Sequence, residues 1–314
     1  MAFLPRRLTA AVAALTASAL VLTGCSRGDG DTDTAASTGK ERVVSLGYGD
    51  ADTLLALDVT PVALATWGAE GDGDPSGVGP WAKDLLGDST PTVIYNVANG
   101  FTADILEQVT AQNPDTIVAV NQAVDSEAKS SLEAIAPTTV KPEGYEDWQI
   151  PWDEQVTQIA GAVDKQKEGE QLIADTKAVF EKFKKDHPEL QGKRVAIGMP
   201  YAGKFGLYTS GDGRGQFVEN LGFVIPKELQ GDGSQFFVDY SPENYADLNN
   251  VDYLFVLDYN GAVDELKKDA TFQNLEIVKD GRVRYFHTDV GNAMSMPNPV
   301  TIPWAADKFA EQLA

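Results

Sequence analysis

Twice along this chain, short β-branched runs alternate with amphipathic helical stretches, and between the two series lies one long helical stretch. In the first series "RVVSL" (42–46), "PVALA" (61–65), "TVIY" (92–95) and "DTIVAV" (115–120) read as strands. "DADTLLALD", "FTADILEQVTAQ" and "SEAKSSLEAIA" read as the helices between them. Strands separated by helices of about ten residues imply crossover connections and a parallel sheet. From Trp152 to Lys185 the period becomes helical, with Leu172, Thr176, Val179, Phe180 and Phe183 on one face and charges on the other. A single helix over 165–185 would span about 30 Å and should stop at His187-Pro188. Alternation then resumes with "RVAIGM", helical "GQFVENLG", "YLFVL" (253–257), "RVRYF" (282–286) and the closing helix "TIPWAADKFAEQL". The pattern predicts an α/β protein with two lobes of largely parallel sheet. The first lobe covers 41–150, the helical linker 151–191 and the second lobe 192–314.

Ahead of the first strand the character changes. Arg6 and Arg7 precede an apolar stretch, Leu8 to Leu22, which is shorter than the roughly 20 residues a membrane-spanning helix needs. It reads as the h-region of a signal peptide over residues 1–24. The chain's single cysteine, Cys25, follows directly in "LTGC". Residues 25–40 hold no large apolar side chain and read as a flexible tether with a reach of about 20 Å. Past that point no thiol remains for a disulfide or a thiolate metal site.

The formal charge is −22 and the isoelectric point about 4.3. Such a surface repels phosphates, which removes the electrostatic term that dominates nucleic-acid binding. Other chemistry finds little footing. "GYGDAD" starts like a dinucleotide fingerprint, but Asp52 stands where the third Gly belongs. "DGDPSG" (72–77) has the first half of a calcium loop but Lys83 at its twelfth position, where a bidentate Glu is needed. Of the two histidines, His187 ends the linker helix and His287 follows a strand. No Gly-x-Ser-x-Gly elbow accompanies them. A Zn or Mn site usually draws on two or three histidines. No catalytic residue and no bound metal of the protein's own are expected.

Ligands of parallel α/β sheets sit beyond the carboxyl ends of the strands. In the first lobe those ends carry Gly47, Tyr48, Trp67, Tyr95, Asn96, Asn121 and Gln122. In the second they carry Tyr201, Tyr208, Arg214, Asp258, Tyr259 and the loop 292–298. Aromatic rings with polar tips suit a bulky amphipathic ligand, and Arg214 supplies a fork of donors for oxygens. The ligand-contacting set is therefore Tyr48, Trp67, Tyr95, Tyr201, Tyr208, Arg214 and Tyr259, with Trp304 in the core.

Several segments, in order, carry a family resemblance: "RVVSLGYGDADTLLALDVTPVAL", "ILEQVTAQNPDTIVAV", "IAPTTV", "YTSGDGRGQFVENLGFVIP", "SPENYADLNNVDYLFV" and "VKDGRVRYF". Together they resemble the extracytoplasmic substrate-binding lipoproteins of iron–siderophore and vitamin B12 ABC importers. Asn113 and Asn250 depart from the family's usual Lys and Asp at surface-type positions. The resemblance implies two Rossmann-like lobes joined by one backbone helix, with the ligand held in the cleft between them. It implies that "LTGC" is a lipobox, so that Cys25 is lipidated and anchors a monomer to the outer face of the cell membrane. It also implies that Glu107 and Glu243, one per lobe, dock on an ABC permease. The expected ligand is an Fe(III)–siderophore complex, with hydroxamates favoured because only Arg214 can be placed against an anionic catecholate. Haem, cobalamin or a divalent metal are the alternatives in the same fold.

Overall fold

The computed structural model describes residues 41–67, 69–71, 73–259 and 261–313. Cys25, the signal segment and the tether lie outside the described residues. Within 40–314, which form one compact unit, the first sheet holds β1 (Val43–Ser45), β2 (Ala63–Ala65), β3 (Thr92–Ile94), β4 (Thr116–Ala119) and β5 (Thr138–Val140). Their order is β3-β2-β1-β4-β5, every pair is parallel, and Val44 stands opposite both Ala63 and Ile117. β1, β2 and β4 are buried throughout. That is why they read as unbroken apolar runs rather than alternating ones.

The second sheet is mixed. It contains β6 (Val195–Tyr201), β7 (Lys204–Tyr208), β8 (Phe237–Asp239), β9 (Tyr253–Leu257) and β10 (Val283–Phe286), in the order β10-β9-β6-β7-β8. β6 and β10 are parallel to β9, whereas β6-β7-β8 is an antiparallel meander. Neither β7 nor β8 is among the strands expected from the pattern. The turn at Ala202-Gly203, both at positive φ, folds "KFGLY" back on β6, so a hairpin stands between β6 and the expected helix, which forms over Gly213–Asn220.

The linker is two helices. Trp152–Ala162 is followed, after a break at Asp164 with φ +55°, by Gln166–Asp186. The second, 21 residues long, runs about 30 Å and ends at His187-Pro188 as expected. The first binds both lobes. Its Ile159 and Ala160 pack with Val43, Leu54 and Val118 of the first lobe, and its Trp152 and Val156 pack with Phe180, Phe183 and Phe217 of the second core. His187 lies against the ring of Phe183, 4.7 Å between centroids.

A second connection joins the lobes through side chains alone. The segment 296–300, between helices Thr288–Ser295 and Thr301–Leu313, belongs to the second lobe in sequence. Its Met296 is nevertheless buried among the first-lobe core residues, and Val300 packs beside Ala51, Leu55 and Leu64. Asn298 organises it: its carbonyl oxygen accepts the N–H groups of Val300 and Thr301 at 2.8 and 3.0 Å, capping the final helix. Trp304 is half-buried there, edge-on to Trp81 at 5.5 Å.

Candidate functional site

The turn after β1 sets the first wall of a cleft between the lobes. Asp50 opens helix Asp50–Ala56. Its carboxylate accepts the N–H groups of Val120 and Asn121, at 2.7 and 3.2 Å, from the end of β4. A Cβ on Gly47 would come within 2.0 Å of that carboxylate, so only glycine permits this closure. "GYGDAD" is therefore a brace between two strand ends and not a nucleotide loop. Burial pushes the Asp50 carboxyl up to about 7, against the pull of the backbone donors. Asn121 and Gln122 serve the same brace: Asn121 Nδ2–H donates to the Tyr48 carbonyl at 2.8 Å, and the Gln122 side chain donates to the Leu46 carbonyl.

Tyr48 is thereby fixed. Its ring is buried, and its hydroxyl accepts the Ala98 N–H at 2.9 Å. Trp67 stacks on it at 3.8 Å, and Trp148 lies 5.7 Å from Tyr48 and 6.0 Å from Trp67. Trp67, 42% exposed, is the open face of this rack. Trp148, which the sequence reading does not single out, adopts φ +67°. That region is rarely occupied by a bulky side chain and is held only where surroundings impose it. Its one sequence signal is its place just before the linker helix.

Between the lobes is a cavity of about 600 Å³, walled by Tyr48, Trp67 and Trp81 from the first lobe and by Tyr259, Asn292 and Met296 from the second. The indole N–H of Trp67 donates across it to Met296 Sδ at 2.9 Å. Asp52, on the same wall, accepts the Trp81 indole N–H at 2.7 Å and the Asn298 amide N–H at 3.2 Å. It therefore ties the first lobe to the crossing segment 296–300. Burial raises its carboxyl to about 6, and the two donors oppose that rise. Asp74 pairs with Lys83 and accepts the Ser76 N–H at 3.0 Å. Lys83, followed by Ser76, lowers its carboxyl to about 2. "DGDPSG" thus closes on its own lysine.

In the second lobe a polar–aromatic cluster stands behind Tyr259. Asp212 caps helix Gly213–Asn220 by accepting the Arg214 N–H at 2.8 Å. The Arg214 guanidinium donates to both Asp212 oxygens, at 3.1 and 3.2 Å, and to the Tyr259 hydroxyl at 3.0 Å. It also lies 4.1 Å over the Tyr208 ring. Burial pushes both the Tyr208 hydroxyl and the Asp212 carboxyl up, with the guanidinium opposing each rise.

Of the seven residues expected at the ligand, Tyr48, Trp67 and Tyr259 line the cavity. Tyr208 and Arg214 are buried behind Tyr259. Tyr201, at the tip of the β6–β7 hairpin, is hydrogen-bonded to Asp239 and packs on Phe237 at 5.4 Å. Tyr95 is half-buried just after β3, away from the cavity wall. Glu107 is exposed in the second turn of helix Ala103–Ala111. Glu243 is exposed in the first turn of the 3₁₀ helix Pro242–Asn250, where Ser241 accepts its N–H. His287 caps helix Thr288–Ser295 through Nδ1, which accepts the Asp289 N–H at 3.4 Å. Thr288 and Asp289 line the cavity beside it.

Comparison with known proteins matches this architecture. The Fe(3+)-citrate-binding protein YfmC of Bacillus subtilis is 26% identical over 300 residues, covering 88% of each chain. The probable siderophore-binding lipoprotein YfiY of the same organism is 25% identical over 283 residues, covering 83% of this chain and 85% of its own. PiaA of Streptococcus pneumoniae TIGR4, solved in complex with ferrichrome, superposes with a TM-score of 0.73 at 26% identity. That match covers 88% of this chain and 93% of PiaA. A periplasmic solute binding protein from Mycobacterium smegmatis gives a TM-score of 0.76 at 28% identity, covering 87% and 91%. These relatives are binding proteins. With residues 43–290 matching the family described as periplasmic binding protein, the chain belongs to that family.

Proposed function

We propose that the protein is an extracytoplasmic receptor that captures a ferric siderophore in the cleft and delivers it to an ABC permease for iron uptake. The observation that carries this reading is the cavity of about 600 Å³ between the lobes, faced by Trp67, Tyr48 and Tyr259. Its size and aromatic walls suit a chelate with apolar arms and a polar iron core. The names of the relatives, which specify ferric citrate, a siderophore and ferrichrome, supply the ligand class. The Fe(III) complex is cargo and not a cofactor. Hydroxamate chelates are the favoured group.

The receptor performs no chemistry of its own. Trp67 and Tyr259 contact the ligand, and Arg214 reaches it through the Tyr259 hydroxyl. Tyr48 and Tyr208 back those two faces, and Tyr95 and Tyr201 stand outside the cavity lining. Two ties, the helix Trp152–Ala162 and the segment 296–300, restrict closure to a small hinge motion. The protein is a monomer held at the outer face of the cell membrane by lipid on Cys25, with residues 25–40 as tether. Glu107 and Glu243 present the loaded form to the permease, and such rim charges set orientation and association rate more than affinity.

The test is a titration of protein lacking residues 1–25 with ferrioxamine B, ferrichrome, ferric citrate, ferric enterobactin, haem, cobalamin and bare Fe, Zn and Mn, followed by intrinsic tryptophan fluorescence. Saturable submicromolar quenching by a ferric siderophore and not by bare metal is expected. Binding of haem, cobalamin or a divalent ion alone would overturn the siderophore assignment and leave the receptor fold.

A further inference from the structure

We propose that Asp212 determines specificity. By neutralising Arg214 inside the second lobe, it leaves the cleft without an uncompensated cation, so that the site accepts ferric chelates of zero or positive net charge and rejects anionic ones. This rests on the ferric-siderophore reading and narrows it.

The charges that face the cavity are few. Lys83, Asp52, Asp74 and Asp289 line it, one cation against three carboxylates, and Lys83 is already paired with Asp74. Arg214 stands behind that wall, its guanidinium donating to the hydroxyl of the lining residue Tyr259. Both Asp212 oxygens lie on the same guanidinium nitrogen, and the two side chains are 13% and 6% exposed. In so dry a setting the pair's fields cancel locally, while an unpaired charge would act strongly across the cavity. Asp212 has a structural task as well, since it caps helix Gly213–Asn220. An Asn would cap equally well, so capping alone does not call for a carboxylate; the charge does.

Chelate chemistry converts this balance into a choice. Three dianionic catecholates around Fe(III) leave a trianion, and citrate chelates are anionic. Three monoanionic hydroxamates leave a neutral core, and a pendant ammonium makes it a cation. An anion entering this cleft loses its hydration and meets the carboxylates of Asp52, held by two neutral donors, and Asp289, 3.5 Å from the His287 ring nitrogen, and among the described residues neither is paired with a Lys or Arg. A neutral or cationic trihydroxamate loses little on either count. YfmC, named for ferric citrate, shares 26% identity with this chain, so the inference separates this receptor from a relative of the same fold.

The experiment is a charge series on the protein lacking residues 1–25, titrated with ferrioxamine B (cationic), ferrichrome (neutral), ferric citrate and ferric enterobactin (anionic) at low and high salt. Wild type should bind the two trihydroxamates at least ~10-fold more tightly than either anion, and added salt should weaken ferrioxamine B more than ferrichrome. Asp212→Asn keeps an acceptor for the Arg214 N–H and frees the guanidinium charge. It should narrow the ratio of anionic to neutral dissociation constants by at least ~10-fold. An unchanged ratio in a cooperatively folding Asp212→Asn overturns the role of Asp212. Wild-type binding of ferric citrate or enterobactin as tight as that of ferrichrome overturns the charge rule, whether or not the variant folds, and leaves the siderophore reading standing. Silence with every ferric chelate overturns both.

Discussion

Acidification from pH 8 to pH 5 should stabilise this protein, and Asp52→Asn should remove a defined part of that gain. Asp50 and Asp52 are buried, and burial lifts their carboxyls to about 7 and about 6. In the unfolded chain both return to about 3.9. Between those values the native state binds more protons than the unfolded state, so unfolding free energy falls as pH rises. At about 1.4 kcal/mol per pH unit, lowering the pH to 5 returns about 3 kcal/mol through Asp50 and about 1 kcal/mol through Asp52. The carboxylate held low by Lys83, Asp74 at about 2, contributes above its unfolded value and loses that contribution only below about pH 4. It leaves the window untouched. The sum, about 4 kcal/mol, corresponds to a rise of ~10 °C in Tm for a domain of this size. Both donors that meet Asp52, the Trp81 indole and the Asn298 amide, converge on one oxygen. An Asn can present its carbonyl there and keep both bonds while losing the titration. Asp52→Asn should therefore fold at pH 8 with unchanged or higher Tm and show about three quarters of the wild-type slope. Calorimetry at half-unit steps in buffers of matched ionic strength measures it. A flat or falling wild-type Tm from pH 8 to 5, or an unaltered slope in Asp52→Asn, would refute the reasoning.

Asn298→Ala removes the cap on Val300 and Thr301 and the tie to Asp52; it should cost ~2–3 kcal/mol in chemical denaturation, with an effect below ~0.5 kcal/mol contradicting the account. Gly215→Ala places a Cβ 2.0 Å from the Thr209 carbonyl oxygen and should cost ~1–3 kcal/mol through a forced backbone shift, read by the same assay. Trp67→Ala deletes the exposed face of the aromatic rack and should weaken a bound trihydroxamate at least ~10-fold with little change in Tm. Glu107→Arg combined with Glu243→Arg should leave ligand affinity intact and abolish uptake of labelled ferric siderophore by cells; normal uptake refutes the docking assignment. Cys25→Ser should move the protein from the membrane fraction to the medium.

The lobe–linker–lobe order and the parallel first sheet were legible in the residues alone. Both are written in local periodicity: buried strands such as β1 and β4 are apolar on both faces, and the linker helices carry a single apolar stripe. The same locality explains the elements that escaped. β7 and β8 are short, glycine-bearing or polar, and paired antiparallel only because the turn at Ala202-Gly203 returns the chain onto β6. Asp164 divides the linker through a backbone angle that no hydrophobic period encodes. Strand ends pointed to Tyr48, Trp67 and Tyr259 as cavity residues. Packing across the fold added Trp148, carried to the rack from the root of the linker helix, and the segment 296–300, which leaves its own lobe to pack in the other. It alone put Arg214 behind Tyr259 and against Asp212. A sequence shows that an arginine is charged, but whether that charge is free or cancelled depends on which side chains the fold buries beside it. Here that pairing decides the electrostatics of the cleft.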